Sequence, residues 1–314
     1  MTAGSNQRPF RFSAQVSDAA SAREWAETAR KVEDLGFSSL GLSDHFGHQL
    51  APVPAMMAAA AATANLRLGA FVFDNDYRHP LVLAREAATL DLLSEGRLEL
   101  GIGAGWMKAD YDQSGIAYDR PGIRIDRFVE GLAIVKGVLA GEAFSFSGTH
   151  YTVTDHEGWP RSCQRPRPPI IIGGGGRRVL SIAAREADIV SVNADLRHGL
   201  GGIEAAPSLT PARTDEKIEW VKEAAGSRFD DIELHVLLGF CAVTDDAHAI
   251  ADGMASAFGI TSEETTHVPV SLFGTVDAMV EELQWRRERW GFSYVSVENG
   301  WEQFAPVVAR LAGT

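Results

Sequence analysis

The stretch Pro169–Asn193, PIIIGGGGRRVLSIAAREADIVSVN, contains the unit that decides the fold. The apolar run Pro169–Ile172 predicts one buried strand, and DIVSVN (Asp188–Asn193) predicts a second. Between them, Arg177–Arg185 has the spacing of a helix. Two strands joined by a helix are typical of a parallel pair, because parallel strands need a long connection back to the same edge.

The same unit recurs along the chain. Strands are predicted at Phe10–Val16, Ser38–Ser43, Leu66–Phe73, Arg97–Gly103, Pro169–Ile172, Asp188–Asn193, Ile232–Ala242 and Phe292–Val297. Helical stretches lie between them, with Pro80 at the first position of one helix and Thr275 as the cap of the last long one. This alternation predicts an α/β (β/α)8 TIM barrel. A doubly wound Rossmann-like sheet is the alternative, but no G-x-G-x-x-G follows the first strand.

No linker or shift in composition divides the chain, so a single domain over residues 1–314 is expected. Two segments interrupt the alternation and are interpreted as insertions, at about 141–168 and 194–211. The first contains a predicted hairpin, FSFSGTHYTV, and a tail rich in Pro and Arg.

Composition excludes several classes of partner. Lys and Arg number 29 against 42 Asp and Glu, and the resulting charge of −13 argues against nucleic acid or an anionic membrane. Cys163 and Cys241 are too few for a disulfide framework, and no Cys/His spacing predicts a metal site. Met1–Pro9 lacks the apolar core of a signal peptide, and the apolar run Pro52–Ala62 is too short to cross a bilayer. A cytoplasmic enzyme that acts on a small molecule is expected.

In a TIM barrel the active site lies at the carboxyl ends of the strands. The fifth strand ends in Gly173–Gly176, followed by Arg177 and Arg178 at a helix start. Bare backbone N–H groups, a helix N-terminus and two guanidinium groups predict a cradle for a phosphate. The alternative is a tight turn, which needs one or two glycines rather than four.

The second strand ends in Asp44-His45. A histidine titrates near neutral pH and suits proton transfer, while its acidic neighbour either orients the ring or binds a polar cofactor edge. The alternative is a histidine that makes a local loop hydrogen bond.

The fourth strand ends in the glycine run Gly101–Gly105, followed by Trp106. The glycines either leave room for a flat ring or allow close strand packing, and Trp106 is a candidate pocket wall. Asn193 and Glu298 end the sixth and eighth strands. Whether either takes part in chemistry stays open at this point.

Four blocks of sequence resemble the luciferase-like monooxygenase superfamily, and within it the coenzyme F420 (deazaflavin)-dependent oxidoreductases. They are Ser43–Phe46; Arg78–Trp106; Gln164–Gly176; and Phe273–Asp277 with Gly291–Tyr294. The blocks extend from the second strand to the eighth, in the expected order. The resemblance therefore covers nearly the whole chain and implies a TIM barrel with insertions.

The resemblance also implies roles for individual residues. Asp44 would contact the cofactor ring and His45 would transfer a proton, while a bulge near Phe71-Val72, with a non-prolyl cis peptide in many relatives, would back the ring. The full cofactor-binding set is Asp44, His45, Phe71, Val72, Asp74, Ala104, Gly105, Trp106, Gly173, Gly174, Gly175, Gly176, Arg177, Arg178 and Val179. Sugar-phosphate dehydrogenases of the family carry a Glu where this chain has Trp106, and this departure argues against a sugar-phosphate substrate.

The predicted function is an F420-dependent oxidoreductase that transfers hydride between the deazaflavin C5 and a small, apolar substrate, with His45 as the catalytic residue. One alternative is an FMN-dependent monooxygenase that uses reduced flavin and oxygen. Another is a non-catalytic protein that binds a deazaflavin or a flavin. The resemblance further implies a homodimer.

Overall fold

Parallel strands close into an eight-membered barrel, which confirms the predicted TIM barrel. The computed structural model describes residues 8–199, 201 and 204–314. The barrel strands are β1 (Arg11–Gln15), β2 (Ser39–Leu42), β3 (Arg67–Ala70) with its continuation β4 (Phe73–Asp74), β5 (Leu98–Gly103), β8 (Ile170–Gly174), β9 (Ile189–Val192), β10 (Glu233–Leu238) and β13 (Phe292–Val297). Their order is β3-β2-β1-β13-β10-β9-β8-β5, and pairing of β3 with β5 closes the barrel.

Helices surround the barrel and pack their apolar faces onto it. They are α1 (Ala22–Asp34), α2 (Pro52–Ala62), α3 (Pro80–Leu93), α4 (Lys108–Ser114), α5 (Pro121–Leu139), α6 (Arg177–Glu186), α7 (Pro211–Ala225), α8 (Ala247–Phe258), α9 (Ser262–Thr265), α10 (Val276–Trp290) and α11 (Trp301–Leu311). Pro80 opens α3, and the Thr275 side chain accepts a hydrogen bond from the Ala278 N–H, as predicted. No helix in the described part of the chain is long and apolar enough to cross a membrane.

Several features of the fold differ from the prediction. The helix capped by Thr275 is not the last long one, because α11 follows β13. The predicted strand Ile232–Ala242 divides at Gly239: β10 stays in the barrel, and β11 (Phe240–Val243) leaves it to pair with β12 (Ser271–Gly274). An apolar run shows that a segment extends but not which partner it pairs with. The short helix α4 was not predicted, because its seven residues bury only Asp110 and Tyr111 and carry too little periodicity.

The two predicted insertions lie outside the regular alternation. The first contains the predicted hairpin, β6 (Phe144–Ser147) paired with β7 (Thr152–His156). The second is anchored by the buried Lys217, whose Nζ donates to the carbonyls of Asn193 at 2.7 Å and Ser208 at 2.6 Å. Residues 200, 202 and 203 of that insertion lie outside the described residues. The single-domain interpretation stays a prediction.

The amino ends of the strands carry a network of paired charges, here called the floor cluster: Arg11, Arg67, Glu99, Glu233 and Tyr294. Glu99 accepts from Arg11 at 2.5 Å, from Arg67 at 2.7 Å and from the Tyr294 hydroxyl at 2.8 Å. Glu233 accepts two hydrogen bonds from Arg11, at 2.6 and 2.7 Å. Burial by itself raises the pKa of Glu99, but Arg11 and Arg67 outweigh it and hold that pKa below its ordinary value.

Candidate active site

A cavity of about 720 Å³ opens at the carboxyl ends of the barrel strands. Every cofactor-binding residue predicted from the sequence lines it, from Asp44, two residues after the end of β2, to Val179 on α6. The structure therefore brings the whole predicted set together. The individual roles of those residues stay predictions.

The base of the cavity is the segment Phe71-Val72, which has a cis peptide bond and separates β3 from β4. The Phe71 ring lies over two strand glycines, since a Cβ on Gly41 or Gly69 would come within 2.6 Å of it. A Cβ on Gly101 would lie 1.8 Å from the Ala70 carbonyl oxygen. This glycine of the fourth strand therefore accommodates the bulge, which favours the packing alternative over the open space for a ring.

Beneath the bulge, His235 stacks on Phe71 with ring centroids 4.9 Å apart. Its two nitrogens are hydrogen-bonded to the Ser191 and Ser296 hydroxyls, each at 2.7 Å. Burial lowers the pKa of His235 to about 3, with Arg11 adding to the effect. This histidine is neutral and supports the bulge.

The glycine cradle has two parts with different physical reasons. A Cβ on Gly174 would meet the Val179 side chain at 2.5 Å, and one on Gly175 would meet the Ala194 carbonyl oxygen at 2.0 Å. Those two glycines are required by the protein's own packing. Gly176 is different, because the nearest atom to its Cβ position is 3.9 Å away.

Gly176 is the N-cap of α6, and no side chain in the described part of the chain caps the helix there. The N–H groups of the first turn are thus available to an anion. Arg177 and Arg178 stand beside this turn, and each makes an exposed ion pair, with Glu223 and with Asp126. Such pairs contribute about 0–1 kcal/mol, so a ligand anion can replace either carboxylate at little cost.

His45 is held by a residue that the sequence did not reveal. Its Nδ1 lies 2.6 Å from Asp110 Oδ2 on α4, and Asp110 also accepts from the Tyr77 hydroxyl at 2.9 Å and the Phe46 N–H at 3.2 Å. The carboxylate that orients the ring is therefore Asp110, not the adjacent Asp44. This contact fixes the imidazole so that Nε2 is the nitrogen left for the cavity, beside the edge of Trp106 at a centroid distance of 5.7 Å.

Asp44 is buried and already paired. Arg78 binds both of its oxygens, at 2.9 and 3.0 Å, and the Asp74 N–H donates to it at 3.1 Å. Its position at the cavity agrees with the expected contact to a cofactor ring. Its observed hydrogen bonds, however, connect it to β4 and to Arg78, which precedes α3. Arg78 lay within the sequence block that resembles the family, yet nothing in the sequence linked it to Asp44.

Asp44 belongs to a group of charges, here called the rim cluster: Asp44, Asp74, Asp76, Arg78 and Arg127. Arg127 binds both oxygens of Asp76 at 2.7 Å. Asp74 accepts from the Asp76 N–H at 2.8 Å but pairs with neither arginine. Burial raises the pKa of Asp74 to about 7.

The two strand-end residues left open by the sequence also lie at this end of the barrel. Asn193 lines the cavity and donates to Ser191 Oγ at 3.1 Å. Glu298 lies near Gly239, because a Cβ added to that glycine would be 3.7 Å from Oε2 of Glu298. Loss of water around the Glu298 carboxyl raises its pKa, against a smaller opposite effect of His45. Within the described residues, no group of three or more His, Cys, Asp or Glu side chains is arranged to hold a metal ion.

Comparison with known proteins gives a family match and several relatives. The model of a family described as luciferase-like monooxygenase matches residues 7–290. An F420-dependent glucose-6-phosphate dehydrogenase of Beutenbergia cavernae is 29% identical over 262 residues, 80% of this chain and 74% of that protein. An FMNH(2)-dependent dimethylsulfone monooxygenase of Pseudomonas putida is 29% identical over 143 residues, 46% of this chain and 39% of that protein.

An uncharacterized protein of Sinorhizobium fredii is 30% identical over 241 residues, 74% of this chain, and the match spans 64% of that protein's length. Among solved structures, the coenzyme F420 dependent tetrahydromethanopterin reductase of Methanopyrus kandleri superposes with a TM-score of 0.75 at 20% identity. That superposition covers 96% of this chain and 97% of the reductase. At this identity the likeness concerns the fold.

Proposed function

The chain belongs to the luciferase-like monooxygenase family, and on that premise we propose that it is an oxidoreductase that uses coenzyme F420. The reaction is the transfer of a hydride between the cofactor and a small organic substrate. The observation that carries the proposal is the pair His45–Asp110 at the edge of a cavity whose base is the Phe71-Val72 bulge. The relative from Beutenbergia cavernae and the reductase fold support the same cofactor.

The residues present fit such a cofactor. The cavity of about 720 Å³ lies in the range of ligand sites and combines an apolar wall with a few polar groups. Gly176 and the uncapped first turn of α6 would hold the phosphate, with Arg177 and Arg178 beside it. When bound, the deazaflavin supplies a two-electron hydride donor or acceptor at C5, and the protein supplies binding, orientation and protons.

His45 is the group we assign to proton transfer. Its Nδ1 contact with Asp110 fixes the direction of the ring, so that Nε2 gives or takes the proton that accompanies hydride transfer. The part of the cavity formed by Leu196, Leu209, Leu237 and Val270 is apolar, which supports an apolar substrate. Trp106 in place of the Glu of sugar-phosphate dehydrogenases supports the same view.

The main alternative is an FMN-dependent monooxygenase, which the family description and the Pseudomonas putida relative support. The same cavity and cradle would serve reduced FMN. A non-catalytic binding protein is the third candidate and predicts tight binding without turnover. Cofactor preference separates the first two, and turnover separates the third.

We also propose a cytoplasmic homodimer. The dimer is supported by a groove between α2 and α3 in which Val82 and Leu93 are 47% and 60% exposed, since exposed apolar patches of this kind mark association surfaces. The compartment is supported by the two free cysteines, Cys163 and Cys241. Light scattering of the purified protein tests the dimer.

The decisive experiment is a fluorescence titration of the protein with F420 and with FMN. We expect F420 to bind at micromolar concentration or below and FMN distinctly more weakly. Gly176→Val should weaken binding by about tenfold or more, because the new side chain meets the ligand, while no atom of the described residues lies closer than 3.9 Å to its Cβ. Gly253→Val is the matched control, since that position is open and lies outside the cavity.

Two results would contradict the proposal. Retention of FMN, or oxygen consumption with reduced FMN, would favour the monooxygenase. Unchanged affinity in a folded Gly176→Val variant would remove the cradle assignment.

A further inference from the structure

The rim cluster contains one more carboxyl group than it has guanidinium groups. Arg78 binds Asp44 through two hydrogen bonds, and Arg127 binds Asp76 in the same way. Among the described residues, Asp74 has no such partner. It is 6% exposed and lines the cavity at the end of β4. A buried carboxylate without a counterion is costly, whereas its neutral form is not.

Tyr111 supplies only part of the missing compensation, and the pKa of Asp74 stays raised despite it. Its hydroxyl has one proton and lies 3.0 Å from Asp76 Oδ2, but 3.2 and 3.4 Å from the two oxygens of Asp74. The shortest of these contacts is the one to Asp76, so the hydroxyl is shared between the two carboxyl groups. The Asp76 N–H donates to Oδ1 of Asp74 at 2.8 Å, and Oδ2, which has only the longer contact with Tyr111, is the oxygen left to carry a proton.

The charges that face Asp74 from the surrounding elements favour the same state. Burial raises its pKa to about 7, and the carboxylates of Asp76 and Asp44 add to that effect. Arg124 of α5 also lines the cavity, and it donates to the carbonyls of Asp119 at 2.6 Å and Gly105 at 3.4 Å. The hydroxyls of Tyr77 and Tyr111 also lie near Asp74, and burial raises the pKa of both.

From this arrangement we propose that Asp74 enters the cavity as a neutral carboxylic acid and donates a hydrogen bond to an acceptor atom of the bound cofactor ring. The ligand chemistry it selects is an uncharged acceptor, such as a ring carbonyl or an unprotonated ring nitrogen. Binding is therefore coupled to a proton on Asp74. The inference rests on the proposed function, because it takes the occupant of the cavity to be a heterocyclic redox cofactor.

The test is the dissociation constant of F420 for wild type and for Asp74→Asn, measured by fluorescence from about pH 5.5 to about pH 9. Asparagine has the same shape and donates at every pH. The ratio of the two constants cancels the titration of the ligand itself. We expect the ratio to be constant at low pH and wild-type binding to weaken about tenfold per unit above about pH 8, because only protonated Asp74 donates.

Two further variants sharpen the test. Asp74→Ala should weaken binding at low pH, where Asp74→Asn does not. Asp76→Asn should move the inflection of the wild-type curve to lower pH, because it removes a negative charge beside Asp74. A residue that only supported the fold would not produce such a shift. A ratio that stays flat over the whole range would overturn the proposal.

A second readout needs no cofactor. Infrared spectra of the cofactor-free proteins near pH 6 should show a protonated carboxyl band in wild type that Asp74→Asn lacks. Absence of that difference would overturn the neutral acid directly. If the band is present but F420 does not bind wild type at any pH, the proposed function fails while the neutral acid stands, and the affinity series is then run with FMN.

Discussion

The two ends of the barrel bury charge in opposite ways. In the floor cluster every carboxylate has a guanidinium partner, and Glu99 has two, Arg11 and Arg67. In the rim cluster Asp74 has none, although it lies within the same contact network as the paired Asp44 and Asp76. The pKa of Glu99 is accordingly lowered, whereas that of Asp74 is raised to about 7. Balanced pairing keeps one end ionised and rigid, and the imbalance leaves the other end able to exchange protons where the cavity opens.

The largest effect is expected from removing His45, the residue assigned to proton transfer at the cavity. His45→Ala should lower kcat by about 10²–10⁴-fold, the usual contribution of general acid–base catalysis, with little change in cofactor affinity or stability. Steady-state kinetics and a cofactor titration measure the two effects separately. His48→Ala is the control, because that side chain is 96% exposed. If affinity falls and kcat at saturation persists, His45 is a binding residue and Glu298 becomes the next candidate acid.

In the floor cluster, a substitution should lower stability and leave activity unchanged. Glu99→Gln should lower the free energy of unfolding by about 3–5 kcal/mol, because it leaves Arg11 and Arg67 buried with too little negative charge. The activity of the folded fraction should not change. Urea denaturation measures the loss, with Glu27→Gln in the exposed pair Arg23–Glu27 as the control. A loss below about 1 kcal/mol would show that the floor does not depend on its pairing.

The pH dependence of stability should separate the two carboxyl groups. Asp74 in the unfolded chain ionises near pH ~4, but in the fold it keeps its proton to about pH 7, so wild type loses stability as pH rises through that interval. Asp74→Asn should therefore match wild type near pH ~4 and exceed it by a few kcal/mol above pH ~7.

Glu99 has the opposite sign, because its folded pKa is lowered. Its stabilising contribution is complete above its unfolded pKa of ~4.3 and is lost as pH falls through the lower folded value. Thermal unfolding of wild type, Asp74→Asn and Glu99→Gln across pH measures both trends. A stability advantage of Asp74→Asn that is the same at every pH would contradict the titration of Asp74.

The smallest effect is expected from the residue that positions His45. Asp110→Asn should reduce kcat by about tenfold with little change in cofactor affinity, because the His45 ring loses the carboxylate at 2.6 Å that orients it. Asp112→Asn on the same helix is the control, since Asp112 is exposed and pairs only with Lys108. An unchanged kcat would mean that Asp110 merely fixes the loop through Tyr77 and Phe46.

Most of the fold could be predicted because each barrel strand and its helix have a recognisable local sequence pattern. Pro169–Ile172 is apolar throughout since a parallel strand is buried on both faces, and Thr275 caps its own helix. Where the prediction was wrong, local pattern lacked the deciding information. The run Ile232–Ala242 continues across Gly239 in sequence, but its pairing with β12 depends on a segment about 30 residues away.

The same division holds for the site. The sequence alone placed Asp44, His45, Trp106 and the glycines of the fifth strand at one end of the barrel, because parallel strands all end at the same rim. Only the tertiary structure decided which charged residues pair: Asp110 with His45 across 65 positions, and Arg78 with Asp44 across 34. Asp74 pairs with no cation of the described residues. Periodicity reports which face of an element a residue occupies. Pairing of charges depends on distances that exist only once the barrel has closed, and it is that pairing which makes one carboxyl a fixed anion and its neighbour an acid.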